Sequence, residues 1–189
     1  MFPFSLGKIF LGSFLTAILA ISPLHASAEG EKCADPPQGM IKFRPLNPPK
    51  PASLEPFFEN GETKKTLADY QGNGIVVNFW ATWCGPCVRE MPSLDRLQAK
   101  GGELGLVVLA ISEDRKGAKV VEPFYSKHAI EHLKVFIDRR GALSRRMKVR
   151  SLPTTVLIDA KGMERGRVIG AAEWDLSENA AFLSRCLGG

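Results

Sequence analysis

Cys84 and Cys87 stand three positions apart at the end of the run Ile75-Val76-Val77-Asn78-Phe79-Trp80-Ala81-Thr82-Trp83. An apolar, β-branched stretch leads into them, and a helical pattern of Val88, Met91, Leu94 and Leu97 follows. That layout puts Cys84 at a strand-to-helix junction and Cys87 one turn inside the helix. A helix N-terminus presents unpaired N–H groups and the positive end of the dipole, and both favour a thiolate. The thiolate is the attacking form in disulfide exchange, and a second cysteine on the same turn can release the mixed disulfide. Pro86 suits the first turn, where its missing N–H costs nothing. A zinc site would need two further ligands at close spacing. Cys33 and Cys186 are distant and no Cys-His cluster appears, so no metal is expected. His128 and His132 are four apart, which permits ligation on a helix, but a surface or capping role fits them better.

The elements that must position this pair alternate in kind. Phe57-Phe58-Glu59-Asn60-Gly61-Glu62-Thr63 carries an Asn-Gly hairpin signal, and Thr66 to Tyr70 gives one helical turn. Ile75 to Trp80 is a strand buried on both faces. The helix from Cys84 should reach about Lys100, kinked by Pro92 and ended by Gly101-Gly102. A strand over Leu104 to Ser112, a helix over Gly117 to His128, a strand over Val135 to Asp138 and a helix over Ala142 to Met147 follow. Thr154 to Asp159 is a strand, with Arg167 to Gly170 as its hairpin partner, and Trp174 to Leu187 closes the chain as a helix. Such alternation predicts an α/β sandwich.

The 189 residues, with 44% hydrophobic and 24% charged content, suit one globular domain. The net charge is +5, and without the first 28 residues, whose only charge is Lys8, it is 24 − 20, or +4. Its densest patch is Arg139-Arg140, Arg145-Arg146, Lys148 and Arg150. No aromatic interleaving or nucleic-acid module accompanies it, so no nucleic-acid partner is expected. A solvated helix face explains the patch, with attraction to an acidic partner or a membrane surface left open.

Residues 1–28 read as a signal peptide or signal anchor: Lys8, an apolar stretch from Ile9 to Ile21, Pro23, then Ala26-Ser27-Ala28 as a small-residue cleavage site. Export permits stable disulfides. With Cys84 and Cys87 assigned to exchange, Cys33 and Cys186 remain as a couple, and a structural bridge between them is expected. A free Cys33 beside a core Cys186 is the alternative. Residues 29–53 hold six of the thirteen prolines and read as an extended arm with no core of its own. The folded domain is placed at 54–189.

From Leu54 to Leu187 the pattern resembles the thioredoxin fold, and within it the TlpA/ResA/DsbE (CcmG) group of exported thiol–disulfide oxidoreductases, with TlpA the nearest in pattern. The residues carrying this are Val77 to Cys87, Glu90, Pro92 and Ser151-Leu152-Pro153-Thr154-Thr155. The resemblance implies a three-layer sandwich with a central mixed sheet and an N-terminal β-hairpin extension. It implies Cys84 as exposed nucleophile, Cys87 as buried resolving thiol and Pro153 as a cis-proline beside them. Leu152 would offer backbone groups to a substrate strand. Trp83 would shield one side of the dithiol, whereas Trp80 is core. Gly85 and Pro86 are thioredoxin's own dipeptide and suggest a reducing couple.

One departure is informative. Thioredoxin has a buried aspartate six residues before its first active cysteine, where this chain has Asn78. In the TlpA/ResA group a glutamate three residues after the second cysteine lies near the site; here that is Glu90, a half-buried carboxylate able to take and return a proton. A solvated Glu90 paired with Arg89 or Arg96 is the plainer alternative.

The resemblance implies a monomer of the periplasm, free or anchored to the inner membrane by its N-terminal segment, with no cofactor beyond the Cys84-Cys87 disulfide. It would reduce cysteines of apocytochrome c or of copper-assembly proteins and be re-reduced by a membrane donor of the DsbD/CcdA type. A general thiol oxidant or isomerase, or a copper-carrying chaperone on the same fold, are the alternatives. A peroxiredoxin would need a proline shortly before the cysteine, and none precedes Cys84.

Overall fold

The computed structural model describes Met1, residues 32–40 and residues 42–188; the expected signal segment lies outside the described residues. The strands are β1 (Phe43–Pro51), β2 (Phe57–Glu59), β3 (Thr63–Lys65), β4 (Gly74–Trp80), β5 (Leu106–Ser112), β6 (Phe136–Ile137), β7 (Thr154–Ile158) and β8 (Met163–Ile169). The helices are α1 (Gly85–Ala99), α2 (Gly101–Leu104), α3 (Ala118–Lys127), α4 (Ala142–Arg146) and α5 (Ser177–Leu187). The strands form one mixed sheet in the order β1-β8-β7-β4-β5-β6-β2-β3. β4 runs parallel to β5 and antiparallel to β7. This is the three-layer, thioredoxin-like sandwich that the motifs imply.

β4 lies at the centre because its sequence leaves it no solvent face, and all seven of its residues are buried. Successive side chains point to opposite faces. Ile75, Val77 and Phe79 pack with Phe57, Leu109, Phe136 and Val156 on one side. Val76 and Trp80 pack with Met91, Leu94, Leu183 and Leu187, from α1 and α5, on the other. Asn78 shares that second face, so a polar side chain is set beneath α1.

The Asn60-Gly61 hairpin forms as its dipeptide predicts, with both residues at positive φ (52° and 76°). β2 joins the sheet through β6. The proline-rich segment departs from expectation. It is extended, but Phe43–Pro51 forms the edge strand β1, paired with β8, and Met40 and Phe43 are buried in the core. An edge strand donates on one side only, so Pro45, Pro48, Pro49 and Pro51 cost it little. The sheet therefore begins ahead of the boundary drawn at Leu54.

Gly101-Gly102 does not end the helical path. The short α2 follows, and Gly105 at φ 64° closes it. Helix α1 runs on through Pro92, with the Ser93 hydroxyl donating to the Glu90 carbonyl at 2.8 Å. Strand β8 starts earlier than Arg167. The last helix starts at Ser177 rather than Trp174, whose side chain is fully buried.

Candidate active site

Cys84 is the N-cap of α1, and Pro86 occupies the first turn. The Cys87 N–H points at the Cys84 sulfur at 3.4 Å, so one orphan helix donor is directed at the atom expected to carry charge. Cys84 and Cys87 are joined as a disulfide, with Cα atoms 5.3 Å apart. Cys84 keeps 7% of its surface and Cys87 none. Gly85 and Pro86 are exposed beside them.

The loop that delivers Cys84 is held by a residue that sequence reading missed. Asp114, buried just after β5, accepts from the Thr82 N–H and hydroxyl, both at 2.8 Å, and from the Ser112 hydroxyl at 2.9 Å. The Glu113 N–H donates to the Trp80 carbonyl at 2.9 Å. The end of β5 therefore pins Trp80 and Thr82, the approach to Cys84. A Ser-x-Asp at a strand end facing a Thr two residues before the cysteine was the available signal.

Glu90 lies one turn beyond Cys87. It is not half-buried but 1% exposed. Its carboxylate accepts from Asn78 Nδ2 at 2.9 Å, from the Ala172 N–H at 3.1 Å and from the Trp174 indole N–H at 2.9 Å. Burial pushes the Glu90 carboxyl up, and these donors, with the more distant Lys42, pull it back only in part. The plainer surface reading falls away: Arg96 pairs with Asp175 at 2.6 Å. Asn78 also donates to the Thr155 hydroxyl at 2.9 Å, tying β4 to β7 beneath Glu90.

The Leu152–Pro153 peptide bond is cis, and the Pro153 carbonyl accepts from the Gly170 N–H at 2.8 Å. Leu152 and Ser151 line a cleft of about 450 Å³ with Cys84 and Trp83. Trp83 is 71% exposed and lines that cleft together with Cys84. Trp80 is core, stacked on Tyr125.

Cys33 and Cys186 form a second disulfide across 153 residues, tying the N-terminal segment to α5. His132 is held by Asp95, Nδ1 to Oδ2 at 2.9 Å, and His128 stacks on Phe124. Burial pushes the Asp95 carboxyl up, yet the His132 ring and the N–H groups of Glu131, His132 and Leu133 hold it below the usual range.

The fold and the Cys-Gly-Pro-Cys cap together define a thioredoxin-like protein. The Redoxin family model matches residues 48–182, and the chain belongs to that family. It is 36% identical over 99 residues to the thiol-disulfide oxidoreductase ResA of Bacillus thuringiensis subsp. konkukian, covering 52% of this chain and 56% of that protein. Among solved structures it is similar to a putative thiol:disulfide interchange protein DsbE from Chlorobium tepidum, with 27% identity and a TM-score of 0.60 over 71% of this chain and 97% of that one. It is also similar to the pneumococcal exposed lipoprotein thioredoxin of Streptococcus pneumoniae, at 25% identity and a TM-score of 0.57 over 70% and 98%. The chain spans a little over half the length of the curated relatives it matches.

Proposed function

We propose that this chain is an exported thiol–disulfide oxidoreductase that reduces disulfides on protein partners. The observation that carries the reading is the Cys84-Cys87 pair at the head of α1, with an N–H aimed at the first sulfur and a cleft open beside it. In the reduced protein the Cys84 thiolate attacks one sulfur of the partner's disulfide, forming a mixed disulfide and releasing the partner's other sulfur as a thiolate. Cys87 loses its proton and attacks Cys84. The Cys84-Cys87 disulfide forms, the second partner sulfur leaves, and two electrons have passed to the partner.

Glu90 takes the Cys87 proton and returns it to the emerging thiol, a role supported by its raised pKa and its place one turn away. Leu152 lends backbone groups to the partner's strand. Its N–H and carbonyl have no hydrogen-bond partner among the described residues. A dithiol donor restores the reduced state, and a membrane protein of the DsbD/CcdA type suits an exported chain. Apocytochrome c and copper-assembly proteins are the partners that the resemblance to the TlpA/ResA/DsbE group implies. Export rests on the 1–28 segment and on the extracytoplasmic character of relatives such as the exposed lipoprotein. Among the described residues no helix is long and apolar enough to cross a membrane.

Cys87→Ser in cells tests the mechanism. Dithiothreitol-sensitive adducts through Cys84 are expected, and their absence, with insulin left unreduced by the wild-type chain, contradicts it.

A further inference from the structure

Arg139, Arg140, Arg145, Arg146, Lys148 and Arg150 are all exposed. None forms an ion pair with a carboxylate among the described residues. Two of them, Arg145 and Arg150, stand on the wall of the cleft that holds Cys84, Trp83 and Leu152. A solvated helix face accounts for Arg146, which does not line that cleft, but not for Arg145 and Arg150, which line it beside the reactive sulfur.

The acidic groups nearby do not cancel this charge. Asp138 is buried and its oxygens accept from the Ala142 and Ser144 N–H groups at 2.8 and 2.9 Å. Glu113 is the one acid on the described wall, against the two guanidinium groups of Arg145 and Arg150. The cleft thus offers a net positive wall, an aromatic face and the unengaged backbone of Leu152, all beside one sulfur.

We propose that this wall selects the partner: the segment that docks is extended and carries aspartate or glutamate beside its disulfide cysteine, with the acid facing Arg145 and Arg150. The inference rests on the oxidoreductase reading and names its substrate class. Opposite charge at a mouth of this kind accelerates encounter and fixes the docked orientation, and salt screens it.

The test uses the full reduced chain and three disulfide-bonded peptides that differ only in carrying Asp, Asn or Lys on both sides of the cysteine, followed by stopped-flow tryptophan fluorescence. At low salt the Asp peptide should react about tenfold faster than the Asn peptide, with the Lys peptide slowest. The gap should close at about 1 M salt. In the Arg145→Gln/Arg150→Gln double variant the Asp-to-Asn ratio should fall toward one, and in Arg150→Glu the order should turn toward the Lys peptide. Equal rates for the three peptides overturn the charge selection while leaving the oxidoreductase reading intact. A ratio that survives in the double variant overturns its assignment to this cleft. Failure to reduce any peptide overturns both.

Discussion

Trp174 donates its indole N–H to the Glu90 carboxylate at 2.9 Å, from 84 positions further along the chain. The donor lies between β8 and α5, the acceptor on α1 beneath the dithiol. A carboxylate this deep in an apolar core is tolerable only because its oxygens are hydrogen-bonded. Trp174→Phe keeps the ring and removes the donor. It should destabilise the protein by about 1–3 kcal/mol, read by urea unfolding at pH 7.

Glu90 also makes stability depend on pH in a stated direction. Its carboxyl is raised above the ordinary 4.5, so the unfolded chain releases that proton before the folded one does. Its favourable contribution is full below pH 4.5 and is lost as pH climbs through the higher folded value. Glu90→Gln should remove this slope. The variant's midpoint, compared with wild type at a series of pH values, should improve relative to wild type on moving from pH 4 toward pH 8. The same variant should slow the Cys87 step roughly tenfold or more, seen as longer-lived mixed disulfides.

The Cys33-Cys186 disulfide closes a loop of 153 residues and anchors the segment ahead of β1 on α5. Replacing both cysteines by Ala should cost about 2–5 kcal/mol in denaturant unfolding. Disulfide exchange with a model peptide should continue in that variant, since the bridge includes neither Cys84 nor Cys87. Loss of exchange in a folded variant would place the bridge inside the catalytic machinery.

Asp114→Ala should loosen the approach to Cys84. The Thr82 N–H loses its acceptor, at about 1–3 kcal/mol, and the loop after β4 loses its tie to β5. The expected result is a folded protein with Cys84 less reactive to alkylation near neutral pH. Unchanged reactivity would show that the α1 cap alone positions the sulfur.

How much of this was legible in the sequence depends on how far apart the interacting residues lie. The path from β4 into α1 is written in adjacent residues: an apolar run, a cysteine cap, Pro86 and a helical period. The Asn60-Gly61 turn is equally local. Glu90 was found through the resemblance, but its depth was not, because burial depends on Asn78, Ala172 and Trp174. Trp174 itself reads as the first residue of an amphipathic helix, and only tertiary packing turns it inward. Strand β1 was hidden for another reason. Prolines argue against a strand unless it lies on an edge, and edge position is a property of the whole sheet. Asp114 carries a local Ser-x-Asp signal, but its partner Thr82 lies 32 positions away, and only the pairing of β4 with β5 brings the two together.

The proposed exchange depends on the cap of α1 holding Cys84 ready as a thiolate. Thiolate absorbance near 240 nm, followed against pH on the reduced protein and on reduced Cys87→Ser, measures it directly. A Cys84 pKa well below the roughly 8.5 of a free cysteine is the expected result. A value at or above that figure would contradict it.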